Sequence, residues 1–280
     1  MLIRNFSTRI LIISGAFFFG CSIMAILMSL YSAEYLKVTQ TLQMILVFAV
    51  PAVFCASIFS EKPTSFLSLQ KTSAKNYFFA AMFAFSALPA NNFFAWLNAQ
   101  MRFPKFLNGL ENLLRTAEDE LMRLTEQMLA VDTLGGLAVN LVVIALLAAV
   151  CEELFFRGVL LKTLLERKKH TSTSLNQHIA IWVTAVIFSA IHFQFYGFLP
   201  RMLLGAAFGY MAVWSGSLWL PMLAHFINNA VGVIAFFAVK KNNLAFDVEN
   251  IGTEQTWYFG LFFIPLCIYF LLKIRKNENC

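Results

Sequence analysis

With 280 residues, 59% of them hydrophobic and 13% charged, the chain carries about half the charge of an ordinary soluble domain, in which about a quarter of the residues are charged. That composition excludes a water-soluble globular enzyme and points to an integral membrane protein. The net charge of +6 would suggest a nucleic-acid partner in a soluble chain; here it sits in the loops between apolar segments, and no nucleic acid is expected.

A membrane-spanning helix needs about 20 mostly apolar residues. Segments of this kind run over 10–30, 41–60, 77–97, 134–161, 178–193, 199–214, 218–239 and 257–272. The predicted fold class is therefore all-α: a polytopic integral membrane protein of about eight transmembrane helices with a polar site buried in the bundle. The fifth and sixth segments are short. Arg4 and Arg9 precede the first segment without a cleavage pattern after it, which predicts an uncleaved signal anchor. Phe18 replaces the aliphatic residue a lipoprotein box would have before Cys21, so lipidation is not expected. The first three segments hold almost no ionisable residues and read as scaffold. Cys21, Cys55, Cys151, Cys267 and Cys280 are scattered without a C-x-x-C pair, which predicts reduced core residues and no disulfide or zinc framework.

Between the third and fourth segments the pattern changes. Phe106, Leu110, Leu113, Leu114, Ala117, Leu121, Leu124 and Met128 recur at steps of three and four among charged residues, the signature of an amphipathic helix. Such a helix either lies on the membrane as a lid over a substrate entrance or connects two spans while packed against the protein; the second is the commoner case. One integral membrane domain is expected, divided into an N-terminal scaffold with the amphipathic connector (1–133), a core carrying the chemistry (134–240), and a loop with the final span (241–280).

Eight crossings return the chain to its starting side. Of the 21 Lys and Arg residues, twelve fall on the side of the termini and eight on the other, with Arg157 inside a span. By the positive-inside rule both termini are cytoplasmic, and the predicted location is a cell membrane, the bacterial inner membrane.

The fourth segment contains CEELFFRG. A charged residue at a helix centre costs about 2.5–3.5 kcal/mol on insertion scales, so Glu152, Glu153 and Arg157 need compensation inside the protein or a wet cavity. At about 100° per residue, Glu153 and Arg157 lie roughly 40° apart, with the acid on the favourable N-terminal side, and pair. Glu152 lies roughly 140° from Arg157 by the same arithmetic and is left without a local partner. The sixteen residues from Glu152 to Lys168 span about 24 Å of helix, which places the carboxylate deep. His192, in FSAIH, is fourteen residues beyond His178, about 21 Å along its own helix, with Phe188 one turn before it to fix the imidazole rotamer. In LPMLAHFINNAVG, His225 and Asn229 are four apart on one face, Asn228 occupies a neighbouring stripe, and either amide is able to face a site. Pro221, one turn upstream, is expected to disturb its helix. A carboxylate, two imidazoles and an amide are suited to activating water and holding an oxyanion.

Taken together, EELFFR, FSAIH and HFINN resemble the E-E-x-x-x-R, F-x-x-x-H and H-x-x-x-N motifs of the CPBP family, the intramembrane proteases similar to the CAAX-prenyl endopeptidase that include bacteriocin-processing and immunity proteins. The resemblance extends through GAAFGYMAVWSGSLWLPMLAH and covers roughly 141–232. It implies a peptidase in which Glu152, as general base, and His192 activate the attacking water. His225 and Asn229 would stabilise the tetrahedral oxyanion, and Glu153 with Arg157 would brace the site. The implied function is hydrolysis of a peptide bond in a membrane-associated protein or peptide, with lipid and that substrate as partners. The alternative is a non-proteolytic immunity or regulatory protein that keeps the protease fold. Two histidines and a glutamate would also suit a three-ligand zinc site. The spacing is not H-E-x-x-H, however, and a water activated by Glu needs no metal, so no cofactor is expected and zinc is the alternative.

Overall fold

A computed structural model describes residues 3–30, 35–166, 174–241 and 257–277. Arg167, Lys168, Lys169 and Cys280, used above for topology, depth and thiol chemistry, lie outside the described residues, as does the whole loop 242–256. The described residues form nine principal helices. These are α1 (Phe6–Leu30), α2 (Leu36–Phe59), α3 (Ala74–Ala99), α4 (Asn108–Leu129), α5 (Leu134–Glu166), α6 (Ser174–Ala190), α7 (Phe198–Ser215), α8 (Trp219–Lys241) and α9 (Trp257–Asn277).

Six of these, not eight, are long and apolar enough to cross a membrane: α1, α2, α3, α5, α8 and α9. The two predicted spans that fall short are the fifth and sixth. Helix α6 has 17 residues, about 26 Å at 1.5 Å per residue, against a hydrocarbon core of about 30 Å. Helix α7 has 18, but Arg201, Gly205 and Gly209 dilute its apolar character. What these helices give up in hydrophobic length they use to approach each other. A Cβ on Gly209 would stand 2.9 Å from Ile181 Cγ2, and one on Gly205 would stand 3.0 Å from the Phe188 ring and 3.5 Å from the Ala185 backbone. The paired glycines of GAAFG thus let the backbones of α6 and α7 come together, as small residues do in membrane bundles.

Helix α5 runs for 33 residues, about 50 Å if straight, and two π-helical segments, Leu141–Leu147 and Leu154–Leu161, interrupt it. Glu152 and Glu153 occupy the short α-helical stretch between them, Ala148–Glu153. The widened turns change which side chains share a face, which single-period arithmetic does not anticipate.

Helices α1 and α2 pack against α5, where Phe17, Phe48, Phe155 and Phe156 form a chain of ring contacts. Buried Arg9 at the start of α1 pairs with Glu166 at the end of α5 and donates to the carbonyl of Ile3 at 2.7 Å, so these two ends lie together. Helix α9 packs along α3, with Trp96 and Trp257 stacked at 4.5 Å. Pro221, expected to disturb α8, sits in its first turn, where the backbone N–H has no intrahelical partner to lose. Cys21, Cys55, Cys151 and Cys267 are free thiols.

The glycine contact makes a measurable demand. Gly205→Leu is expected to force α6 and α7 apart at a cost of about 1–3 kcal/mol, the scale of overpacking, seen as a lower midpoint of thermal unfolding in detergent. Gly232→Leu, at a position with nothing within 4 Å of a Cβ, should leave the midpoint unchanged.

Candidate active site

Four helices converge on the acidic pair of α5. Glu153 is fully buried, and its Oε1 accepts two hydrogen bonds, from Arg157 Nη1 at 2.6 Å and from His225 Nδ1 on α8 at 2.9 Å. Arg157 also donates through Nη2 to the carbonyl of Gly205 on α7 at 2.8 Å. Its guanidinium carbon lies 4.6 Å from the ring centre of Phe188 on α6 and 5.5 Å from that of Phe208 on α7, placing a delocalised cation against two aromatic faces. The ion pair expected from i, i+4 spacing is present. Glu153 does more than neutralise Arg157, however, because the same oxygen fixes the His225 ring. The sequence contained no signal for that long-range bond.

A carboxylate only accepts, so His225 Nδ1 carries the hydrogen and Nε2 is the nitrogen left to the site. The imidazole stacks on Phe208, centroids 5.2 Å apart and planes 23° from parallel. Its Nε2 stands 3.9 Å from Glu152 Oε2, beyond hydrogen-bonding distance. Glu152, 6% exposed, is the acid without a local partner that helical geometry singled out.

His192 lies beyond the last helical residue of α6, in the turn that follows Ala190; it was expected inside a span. Its Nδ1 bonds the backbone carbonyl of Phe188 at 2.8 Å. A carbonyl cannot donate, so Nδ1 bears the hydrogen and Nε2 of the neutral ring is an acceptor. The Phe188 ring meets the imidazole edge-on at 5.1 Å, fixing it by contact as well as by the hydrogen bond. The next residue, Phe193, has a left-handed backbone with φ 54°, unusual for a bulky side chain, and its ring is 77% exposed.

A cavity of about 390 Å³ joins these groups, within the range of small-ligand sites. Glu152, His192, His225, Asn228 and Asn229 all line it. Both asparagines do so, and they are bonded to each other, Asn228 Nδ2 to Asn229 Oδ1 at 3.3 Å, so position does not choose between them. Glu153 and Arg157 lie behind the lining.

Two further lining residues escaped the sequence reading. Asn91 comes from α3, so the third helix is not scaffold alone; the Asn91–Asn92 pair inside an apolar run was the available signal. Arg201 of α7 lines the cavity, is held by Gln194, and interacts electrostatically with both Glu152 and Glu118. Its sequence signal was a lone cation in FLPRMLLG, counted above as a loop charge. Among the described residues no three His, Cys, Asp or Glu side chains are grouped to hold a metal ion. Both ring Nδ1 atoms donate to protein acceptors, which leaves each Nε2 available and is an arrangement that metal-binding histidines share.

Comparison with known proteins points to the same stretch. Residues 134–231 match the family described as type II CAAX prenyl endopeptidase Rce1-like. The chain is similar to YpbD of Bacillus subtilis (strain 168), an uncharacterized protein, with 33% identity over 96 residues that cover 33% of this chain and 43% of the relative. The match thus spans less than half of that curated relative's length. No solved structure matches the chain. The matched segment begins at the first residue of α5 and ends within α8, and so contains every residue of the Glu153 hub as well as His192, Asn228 and Asn229. In these residues the chain carries a domain of the Rce1-like type II CAAX prenyl endopeptidase, or CPBP, family.

Proposed function

We propose that this multi-pass membrane protein is an intramembrane endopeptidase that hydrolyses a peptide bond of a membrane-associated protein or peptide. The observation that carries the reading is Glu152. It is a nearly buried carboxylate without a hydrogen-bonded partner among the described residues, and it lines a polar cavity with the Nε2 sides of two fixed imidazoles. Membership of residues 134–231 in a peptidase family supports it.

Glu152 takes a proton from a water oriented by the lone pair of His192 Nε2, and the water oxygen attacks the scissile carbonyl carbon. Charge develops on the carbonyl oxygen, to which His225 donates through Nε2–H and Asn229 through its amide N–H. With Nδ1–H already on Glu153, donation through Nε2–H uses the doubly protonated form of the ring, which lies beside the Glu152 and Glu153 carboxylates. The intermediate collapses with loss of the C–N bond, and the proton on Glu152 passes to the leaving amine. Arg157 holds Glu153, and Arg201 supplies a second positive charge at the cavity; both act through position.

The substrate class is a proposal from the family alone, whose description reads CAAX prenyl endopeptidase. A cell membrane of a bacterium with both termini in the cytoplasm fits the distribution of Lys and Arg, since six crossings return the chain to its starting side as eight would.

Glu152→Gln is expected to lower cleavage by about 10²–10⁴-fold, the usual worth of a general base, with insertion and expression intact. Mass spectrometry of peptide termini in membrane and medium, compared between wild type and variant strains, checks this, and undiminished cleavage would refute the mechanism. The two amides separate in the same assay: Asn229→Ala is expected to cost about 10²–10³-fold, as for a lost oxyanion donor, and Asn228→Ala less than about a tenth of that.

A further inference from the structure

Helix α4 is amphipathic, yet it is turned the opposite way from a helix covering a core. At 100° per residue, Leu110, Leu113, Ala117 and Leu121 fall within an arc of roughly 80°, and all four are exposed, Leu113 to 66%. Phe106, in the turn before the helix, is 83% exposed. No residue of α4 is buried.

The edge it presents to the connection between His192 and α7 is polar, while Leu114, Leu124 and Met128 are half-buried. Glu118 accepts a hydrogen bond from the Tyr196 backbone N–H at 2.9 Å, and Glu111 accepts one from the Tyr196 hydroxyl at 3.2 Å. Arg115 bonds Glu111 at 2.9 Å and lies 4.0 Å over the Tyr196 ring. The hydrogen bonds from Arg115, with one from the Phe103 N–H, hold the Glu111 carboxyl below the usual carboxylate range, which keeps it an acceptor in mild acid.

Tyr196 belongs to the connection between His192 and α7. Its neighbour Gly197 lines the cavity, and Arg201 one turn on interacts with Glu118. Asn98, at the end of α3, fixes the other side of that connection through the Phe195 carbonyl at 3.0 Å and the Leu199 N–H at 2.6 Å. Asn98 thus anchors one side of this connection to a span, and its Tyr196 side meets the charged edge of α4.

What covers the outward stripe follows from where α4 is tied. Short links join it to α3 and α5, both candidate membrane spans, so it lies where a span meets the membrane surface. Residues 100–133 hold six acidic against four basic side chains, which gives anionic headgroups no attraction. The apolar stripe is what holds it, as in interfacial helices. We propose that α4 is a lipid-facing gate: acyl chains of the bilayer cover its apolar stripe, and release of Tyr196 from Glu111 and Glu118 opens the cavity to a substrate arriving from the lipid. The entry route rests on the proteolytic reading above; the lipid contact and the latch do not.

The full chain, reconstituted in neutral phosphatidylcholine vesicles, tests each part. With the native cysteines replaced by alanine, nitroxides are placed at Leu113→Cys, on the apolar stripe, and Asp119→Cys, roughly 120° around α4 from it. The label at 113 is expected to be reached by oxygen and shielded from a water-soluble nickel chelate, and the label at 119 to show the reverse; equal or greater chelate access at 113 overturns the lipid contact. In the chain with its native cysteines, Glu118→Ala should speed hydrogen exchange at the Tyr196 amide by about tenfold or more, the scale of one hydrogen bond to a charged acceptor. An unchanged rate overturns the latch. The same variant should change cleavage of a lipid-embedded substrate by about threefold or more while a short soluble peptide is cleaved as before, as expected for gating; equal change in both overturns the entry route. Loss of every Glu152-dependent cleavage from the wild type would count against the proteolytic reading and leave the first two measurements standing.

Discussion

The organisation of the core depends on one oxygen atom, Glu153 Oε1. It is fully buried in a helix of membrane-spanning length, a position in which an uncompensated charge is costly, and it accepts at once from Arg157 and His225. Through Arg157 the same centre reaches the Gly205 carbonyl, so a single buried pair ties α5, α7 and α8 together. Breaking such a pair strands a charge and costs about 3–5 kcal/mol, whereas keeping it gives little net stability. Its value here is specificity of geometry: it aims the His225 ring so that Nε2 and Glu152 face the same cavity.

That geometry is bought with backbone shape as much as with charge. The glycines of α7 remove the side chains that would hold α6 away, and Phe188 and Phe208 fill the space on either side of the Arg157 guanidinium. The π-helical segments bracketing Glu152 and Glu153 rotate the flanking turns of α5, as such segments commonly do beside functional residues. A helix that only had to cross a bilayer would need none of these.

The all-helical class and the polar constellation were legible in the sequence because both rest on short-range patterns. Apolar runs mark spans, and i, i+4 spacing joined Glu153 to Arg157 and separated Glu152 from it. The span count failed at α6 and α7, where hydropathy does not distinguish a crossing helix from one that packs inside the bundle on glycine contacts. His192 was placed within a helix because nothing in FSAIHFQFYGF marks the left-handed turn at Phe193. Arg201 and Asn91 were missed for a related reason: each is a polar residue in an apolar run whose meaning depends on helices distant in sequence. The same holds for the Glu153–His225 bond, which joins residues 72 apart.

The amphipathic connector carries the contrast furthest. Its periodicity was plain, but periodicity states that a helix has two faces and leaves open which one meets the protein. In water the apolar face turns inward, because burial of nonpolar area drives folding. At a bilayer edge that drive is satisfied by lipid, and the polar edge is free to make specific bonds with Tyr196. A helix held by a few half-buried hydrogen bonds belongs to the weakly stabilised part of a structure, while the buried, doubly bonded Glu153 hub is fixed in its geometry. The site thus has one rigid wall and one loosely held wall, which is the distribution of stability that a buried hydrolytic cavity requires if a bulky substrate is to enter and leave.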